Sequence, residues 1–333
     1  MADADAVLLG FLERAAGTGP LTERDALQAA RLVRQDPVTE AFRSAGVDLY
    51  ASASERLELF RRAAHLCPVL TLDVAGHQVT ARMSQVELWR FYLPVCQAAA
   101  SRCSQLGRRV LIGVAGPGAS GKSVFAALVC ETLNAAFSPA GLAAAVCPMD
   151  GFHYPNAHLD SHFAADEQGG RVPLRALKGT PQTFDVESFL ICLKRLRAQS
   201  SVALPRYDRT VHDPVPEGIQ VGPGHRVVLV EGNYLLLDHG RWAEVAGLLD
   251  LTFFLVQPLD AVREAMVARH VVGGRSQPDA VAHFERVDRR NYELIAATAA
   301  RADLIVRRAG QGAEGRDAAQ GILGIEAAPP TQP

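Results

Sequence analysis

Residues 116–123, Gly-Pro-Gly-Ala-Ser-Gly-Lys-Ser, satisfy the spacing G-x-x-x-x-G-K-[ST]. Glycines at this spacing let the backbone turn tightly enough for successive N–H groups to face one anion. The positive end of a following helix adds to that attraction. The cradle residues are Gly116, Pro117, Gly118, Ala119, Ser120, Gly121, Lys122, Ser123 and Val124. Lys122 is expected to reach the β- and γ-phosphates of ATP, and the Ser123 hydroxyl to ligate Mg²⁺. The chain has three lysines, at positions 122, 178 and 194, against 31 arginines. Its ordinary surface cation is therefore arginine, whereas the cradle holds the compact ammonium suited to bridging phosphates. An accidental glycine-rich turn is the alternative, disfavoured because the match falls between a buried apolar run and a helical pattern.

Other residues decide what becomes of the γ-phosphate. No NKxD motif for guanine is present, and nothing resembles the further motifs of a helicase. Acidic residues instead fall at strand ends, where an open α/β sheet places its ligands. Asp150 closes the run AAAVCPM and opens DGFHYPN. A carboxylate there could accept the proton of an attacking hydroxyl, or merely cap the turn. His153, Tyr154 and Asn156 in the same loop are either substrate contacts or structural. Glu231 follows the apolar run RVVLV and precedes Gly232 and Asn233. An acid after buried aliphatics is costly unless it serves an ion or a hydrogen-bond network, so Glu231 is a candidate Mg²⁺ ligand alongside Ser123, with a structural partner as the alternative.

The stretch LPRYDRTVHDPVPEG, residues 204–218, reads as a proline-punctuated loop rich in polar side chains. Tyr207, Arg209 and His212 are candidates to recognise an alcohol substrate, together with Asp150, His153 and Asn233; a solvated surface loop is the alternative. Arg263, Arg269 and Arg275 lie on or just beyond a helix that follows LTFFLVQP, next to Gly273 and Gly274. A lid there could fold a cation over the transferring group, with Arg269 the first choice, or the arginines could simply solvate the helix. Lys178 precedes a helix starting near Asp185, and Lys194 lies on it as a solvated charge.

The elements that must position these residues alternate strand and helix from Arg109 onward, the pattern of a parallel sheet covered on both faces. The strands expected are VLIGVAG, AAAVCPMD, RVVLVEGN, LTFFLV and ADLIVR. Helices are expected over 120–137 and 258–270. Residues 1–105 read as mostly helical, with a hairpin near 69–83 turning at Gly76. The pair Ser84 and Glu87 opens a further helix that Pro94 should kink. The expected fold is α/β, a P-loop NTPase fold with a doubly wound, mainly parallel sheet over 106–308. Residues 309–333, rich in Gly, Ala and Pro, are expected to be a loose tail.

An apolar content of 48% supplies a core, and a formal charge of −2 gives no global reason to expect nucleic acid or an anionic membrane as partner. The six cysteines show no CxxC pair and no nearby histidine spacing for zinc. They read as buried free thiols of a cytoplasmic protein. The N-terminus has acids where a signal peptide has positive charge, and no apolar run long enough to span a bilayer.

GPGASGKS, MDGFHYPN, LKGTPQTFD, PRYDR, VLVEGNYLLLD and RHVVGGRS stand in the order found in the phosphoribulokinase and uridine kinase family, which the chain resembles over about residues 85–308. The later segments look most like bacterial nucleoside or fructose-transport-system kinases. Type I pantothenate kinases and glycerate kinases are more distant. The resemblance implies ATP-dependent phosphorylation of a small-molecule hydroxyl, with Lys122 and Ser123 at phosphate and metal, Asp150 as base and Glu231 near the metal. Two departures bear on substrate. Pro214 stands where uridine kinases place an arginine after their Tyr-Asp pair and histidine, here Tyr207, Asp208 and His212. Arg209 aligns with a histidine of pantothenate kinases. The expected function is kinase action on a sugar, polyol, nucleoside or related metabolite. The rival is an ATP-binding regulatory protein without that activity. The N-terminal hundred residues are left to pack beside the kinase domain, extend its pocket or mediate homo-oligomer contacts.

Overall fold

The computed structural model describes residues 2–17, 19–49, 52–74, 77–137, 141–165, 170–308 and 322–329. The chain begins with four helices, α1 (Ala2–Ala15), α2 (Glu23–Arg34), α3 (Pro37–Ser44) and α4 (Ala53–Ala63). Side chains fix where they start. Thr22 with Asp25, and Ser52 with Glu55, form reciprocal capping boxes, while Asp36 caps α3 ahead of Pro37. Strands β1 (Val69–Val74) and β2 (His77–Arg82) pair antiparallel, with Gly76 of the expected turn outside the described residues. Ser84 and Glu87 cap α5 (Gln85–Glu87), which runs through a π turn at Leu88–Tyr92 into α6 (Leu93–Leu106). Pro94, expected to kink this helix, has no N–H for the Arg90 carbonyl, and the wider turn before it, with Leu93 N–H bonded to Leu88 O, takes up the misfit.

Strand β3 (Val110–Ala115), α7 (Lys122–Phe137) and β4 (Ala143–Pro148) follow. Next come α8 (Asn156–Ser161), the short pair β5 (Phe163–Ala165) and β6 (Arg171–Pro173), α9 (Val186–Ala198), and a hairpin of β7 (Val202–Asp208) and β8 (Asp213–Val221). The loop expected over 204–218 is thus mostly an antiparallel ribbon. Pro205 and Pro216 fall in the register shift between Leu204 and Arg206, outside the paired residues, and Pro214 pairs with Tyr207 next to the last pair before the turn. The chain completes with β9 (His225–Gly232), β10 (Leu251–Val256), α10 (Leu259–Val272), α11 (Gln277–His283), a π turn at Phe284–Asp288, α12 (Arg289–Ala296), β11 (Leu304–Arg308) and β12 (Ile322–Ala327).

Among the described residues the main sheet has the order β12-β11-β10-β3-β9-β4, parallel except for β12. β12 corrects the expectation of a loose tail for its own six residues. Ile322 and Ile325 bury against the sheet, and the Ile322 N–H donates to Glu87 Oε1 at 3.2 Å. Residues 309–321 and 330–333 of that expected tail lie outside the described residues.

Successive strand side chains point to opposite faces, which splits the core in two. β3 gives Val110, Ile112 and Val114 to one core and Leu111 and Ala115 to the other; β9 divides likewise into Val227 and Leu229 against Val228 and Val230. The N-terminal helices cover the first face. Phe42 meets Phe253 of β10 at 6.1 Å between ring centroids, and Tyr92 meets Phe125 of α7 at 5.9 Å. One apolar core therefore runs unbroken across residue 105. A buried polar staple holds α3, α4 and α6 together: Arg56 pairs with Asp36 at 3.5 Å and donates to Gln97 at 2.7 Å and Thr39 at 3.2 Å. Burial lowers the Arg56 guanidinium to about 10 and raises the Asp36 carboxyl. All six cysteines are free; five are buried and Cys67 is half-buried.

Candidate active site

The apolar strand β3 ends at Ala115, and the chain then turns through Gly116, Ala119 and Gly121 at φ of 143°, 58° and 87° into α7. A Cβ on Gly116 would lie 2.6 Å from the Leu255 carbonyl oxygen. Only glycine lets this turn sit against β10. Lys122, 7% exposed, reaches back over its own loop, and its Nζ donates to Pro117 O at 2.7 Å. Burial lowers the ammonium to about 8, against the opposing charges of Glu231 and Asp150. An ammonium with three N–H groups and one carbonyl partner, above a left-handed turn opening a helix, is a donor set that fits a polyphosphate.

The parallel pairing of β4 with β9 sets Pro148 beside Glu231, so both strands deliver an acid at the same, carboxyl, end of the sheet. Asp150 sits in the tight turn Met149–Phe152. Two glycines permit the convergence. A Cβ on Gly232 would stand 2.6 Å from Met149 Cβ, and one on Gly151 would stand 2.5 Å from Pro205 O of β7. Glu231 is 6% exposed and hydrogen-bonded to Ser123. Burial and the neighbouring Asp150 charge push its carboxyl up to about 7, although Lys122 and the Ser123 bond pull the other way. Paired hydroxyl and carboxylate oxygens, buried beside the phosphate cradle, form a hard donor set that fits Mg²⁺.

Burial also pushes the Asp150 carboxyl upward, but the charges of His153, Arg209, Arg269 and Lys122 outweigh it and hold the group below its ordinary value. Arg209 Nη2 stands 3.8 Å from Asp150 Oδ2. The His153 ring nitrogen Nδ1 is 2.9 Å from Asp150 O, and its ring lies 3.8 Å from Phe184 and 5.3 Å from Tyr207. Burial lowers the imidazole. Tyr207 on β7 is buried, and burial followed by the Asp150 charge lifts its phenol to about 12. Arg269 of α10 is exposed at the rim of the site and lies within the fields of Arg209 and Asp150; the surrounding protein and the Arg209 charge lower it.

The other candidates are placed differently. His212 occupies the exposed hairpin tip at φ 52°, and it is its carbonyl that serves the site, accepting from Lys178 Nζ at 2.7 Å and Asn156 Nδ2 at 3.0 Å. Asn233 is half-buried and makes no side-chain hydrogen bond among the described residues. Asp208 closes the hairpin turn by accepting from the Thr210 N–H at 2.9 Å. Arg263 pairs with Glu285 at 3.1 Å, and Arg275 approaches His270 Nδ1 at 3.4 Å.

Lys178 received no role from its sequence context, yet its Nζ stands 5.1 Å over the Tyr207 ring and donates to Asn156 Oδ1 at 2.7 Å. Burial lowers it to about 8. The signal that could have found it is the one that found Lys122, a rare lysine in an arginine-using chain.

Residues 111–313 match the model of the Phosphoribulokinase / Uridine kinase family. The chain is 32% identical over 244 residues to the protein YggC of Escherichia coli (strain K12), covering 73% of this chain and 97% of that one. It is 32% identical over 205 residues to a Schizosaccharomyces pombe protein named "Putative uridine kinase C227.14", covering 60% and 84%. Among solved structures, a "putative fructose transport system kinase" from Silicibacter sp. TM1040 superposes with a TM-score of 0.54 at 32% identity, covering 62% of this chain and 93% of that one.

Proposed function

The chain belongs to the phosphoribulokinase and uridine kinase family of P-loop kinases, and on that premise we propose that it transfers the γ-phosphoryl group of Mg·ATP to an alcohol of a small metabolite. The observation that carries this reading is the convergence of Asp150, Glu231 and Ser123 on the buried Lys122. Bound Mg·ATP supplies the phosphoryl group and the metal charge that offsets its negative oxygens. Gly116 to Val124 hold the phosphates, with Lys122 as the point charge. Ser123 and Glu231 hold the metal. Asp150, kept ionised by its cationic neighbours, accepts the proton of the attacking hydroxyl at its carboxylate. Arg269, carried by α10, adds positive charge above the same carboxylate and helps exclude water.

The acceptor side is walled by His153, Tyr207, Arg209 and Lys178. Pro214 faces Tyr207 across the hairpin and cannot supply a cation there, which leaves Arg209 and Lys178 to read the acceptor. The names of the relatives, a "Putative uridine kinase" and a "putative fructose transport system kinase", support a nucleoside or sugar as the class to test first.

The test is incubation with Mg·ATP and a pooled metabolite extract, followed by a search for a new phosphate ester. Formation of one ester at the expense of ATP is expected. Tight nucleotide binding with no ester would instead favour a regulatory ATP-binding protein. Among the described residues no helix is long and apolar enough to cross a membrane.

A further inference from the structure

His270, at the end of α10, directly follows Arg269 in sequence and reaches across to Asp288, with Nε2 2.7 Å from Oδ2. His283, the last residue of α11, packs its ring edge-to-face on His270 at 4.7 Å between centroids. His283 is 9% exposed, and no protein group among the described residues accepts from or donates to its ring. One ring nitrogen from each histidine and a carboxylate oxygen of Asp288 all lie within 4.8 Å of one another. None of the three has a part in the phosphate cradle or the acceptor wall.

We propose that His270, His283 and Asp288 form a binding site for a divalent transition-metal ion of the zinc class, distinct from the Mg²⁺ position at Ser123 and Glu231. Two imidazoles and one carboxylate are the donors that zinc, cobalt or nickel prefer, whereas Mg²⁺ takes oxygen ligands and keeps its waters. Three ligands at about 2.0–2.2 Å from a tetrahedral ion stand roughly 3.3–3.5 Å apart. Rotamer adjustments of about an ångström therefore close the site without moving a helix. The ion takes the Nε2 lone pair of His270, so any proton on that nitrogen passes to solvent as the ion binds. Arg275, exposed beside His270 Nδ1, turns to solvent, and Nδ1 carries the ring proton.

The ion joins the end of α10 to the Phe284–Asp288 turn. It also takes up the Asp288 charge, which already acts on Arg269. The site is thus a clamp on the helix that carries Arg269. The ligands sit on three successive elements, the end of α10, the end of α11 and the turn after it, and the packing of those elements brings them together.

Zinc titration of the metal-stripped full chain, followed by calorimetry, tests this directly. One equivalent is expected to bind with Kd below about 1 µM, and His283→Phe to weaken it at least about tenfold, while Glu231→Gln and Cys67→Ser leave it unchanged. Binding weaker than that, or a smaller effect of His283→Phe, overturns the proposal. X-ray absorption of the zinc-loaded wild-type chain needs no variant to fold. A nitrogen and oxygen shell supports the site, and a sulfur shell, from the free thiols, refutes it. None of these readouts depends on kinase activity.

Discussion

The Asp150 carboxylate stands 3.8 Å from the Arg209 guanidinium, so the β7–β8 hairpin helps set the charge of the group proposed to take a proton. Removing that cation lets the burial of Asp150 raise its pKa. The base acts only when ionised, so Arg209→Gln is expected to move the acid limb of the kcat/KM profile to higher pH. Arg209→Lys should restore much of the original limb. A pH–rate profile of the two variants checks this, and an acid limb that stays in place in Arg209→Gln would disconnect Arg209 from the base.

Lys122 and Glu231 make nucleotide binding depend on pH in opposite directions. Burial holds Lys122 down to about 8, and a bound polyphosphate favours its charged form, so binding takes up a proton above pH 8 and weakens as pH rises. Burial and the Asp150 charge push Glu231 up to about 7, and as the proposed Mg²⁺ ligand it must be ionised, so metal-dependent binding is expected to weaken as pH falls through 7. Mg·ATP affinity should peak between these values. Calorimetry in two buffers of different ionisation heat measures proton uptake at the alkaline side, and proton release there would contradict the assignment of Lys122.

Glu231→Gln is expected to trade activity for stability. The folded carboxyl titrates near 7 and the unfolded one near 4.5, so the native state holds an extra proton between them and loses stability as pH rises through that window. At pH 8 the amide should stabilise the nucleotide-free protein by about 1–3 kcal/mol. Turnover should fall by roughly 10²-fold or more, as expected for a lost metal ligand. Thermal melts at pH 5 and pH 8 separate the effects, because the gain should vanish at the lower pH.

The cradle was legible because backbone demand, phosphate chemistry and helix polarity fall on eight consecutive residues. Asp150 and Glu231 were legible because both close apolar strands whose parallel pairing brings their ends together. What escaped was set by contacts between distant segments. Prolines disguised the 204–218 ribbon as a loop, and its pairing alone puts the His212 carbonyl, instead of the imidazole, on Lys178. The strand Ile322–Ala327 was hidden in a Gly- and Ala-rich stretch because, among its described side chains, the buried ones are Ile322 and Ile325. The role of the first hundred residues was equally invisible, since the sheet face they cover is assembled from residues beyond position 109.

That shared core has a mechanical consequence. Phe42 of α3 is fully buried against Phe253 of β10, so Phe42→Ala should cost about 3–5 kcal/mol. It should destabilise the nucleotide site along with the N-terminal helices. Trp89 is buried in one core and Trp242 in the other. Single-tryptophan variants should therefore melt at one temperature and shift together in Phe42→Ala. Two separated transitions would show that residues 1–105 form an independent unit.

The most direct measurement compares wild type and Asp150→Asn in two assays on the same preparations, Mg·ATP binding by calorimetry and transfer of label from γ-labelled ATP to a pooled metabolite extract. The expected result is equal nucleotide affinity within a few-fold, with a labelled ester formed by the wild type and slowed by roughly 10²–10⁴-fold in the variant. Label transfer by Asp150→Asn at the wild-type rate would contradict a catalytic carboxylate at this position.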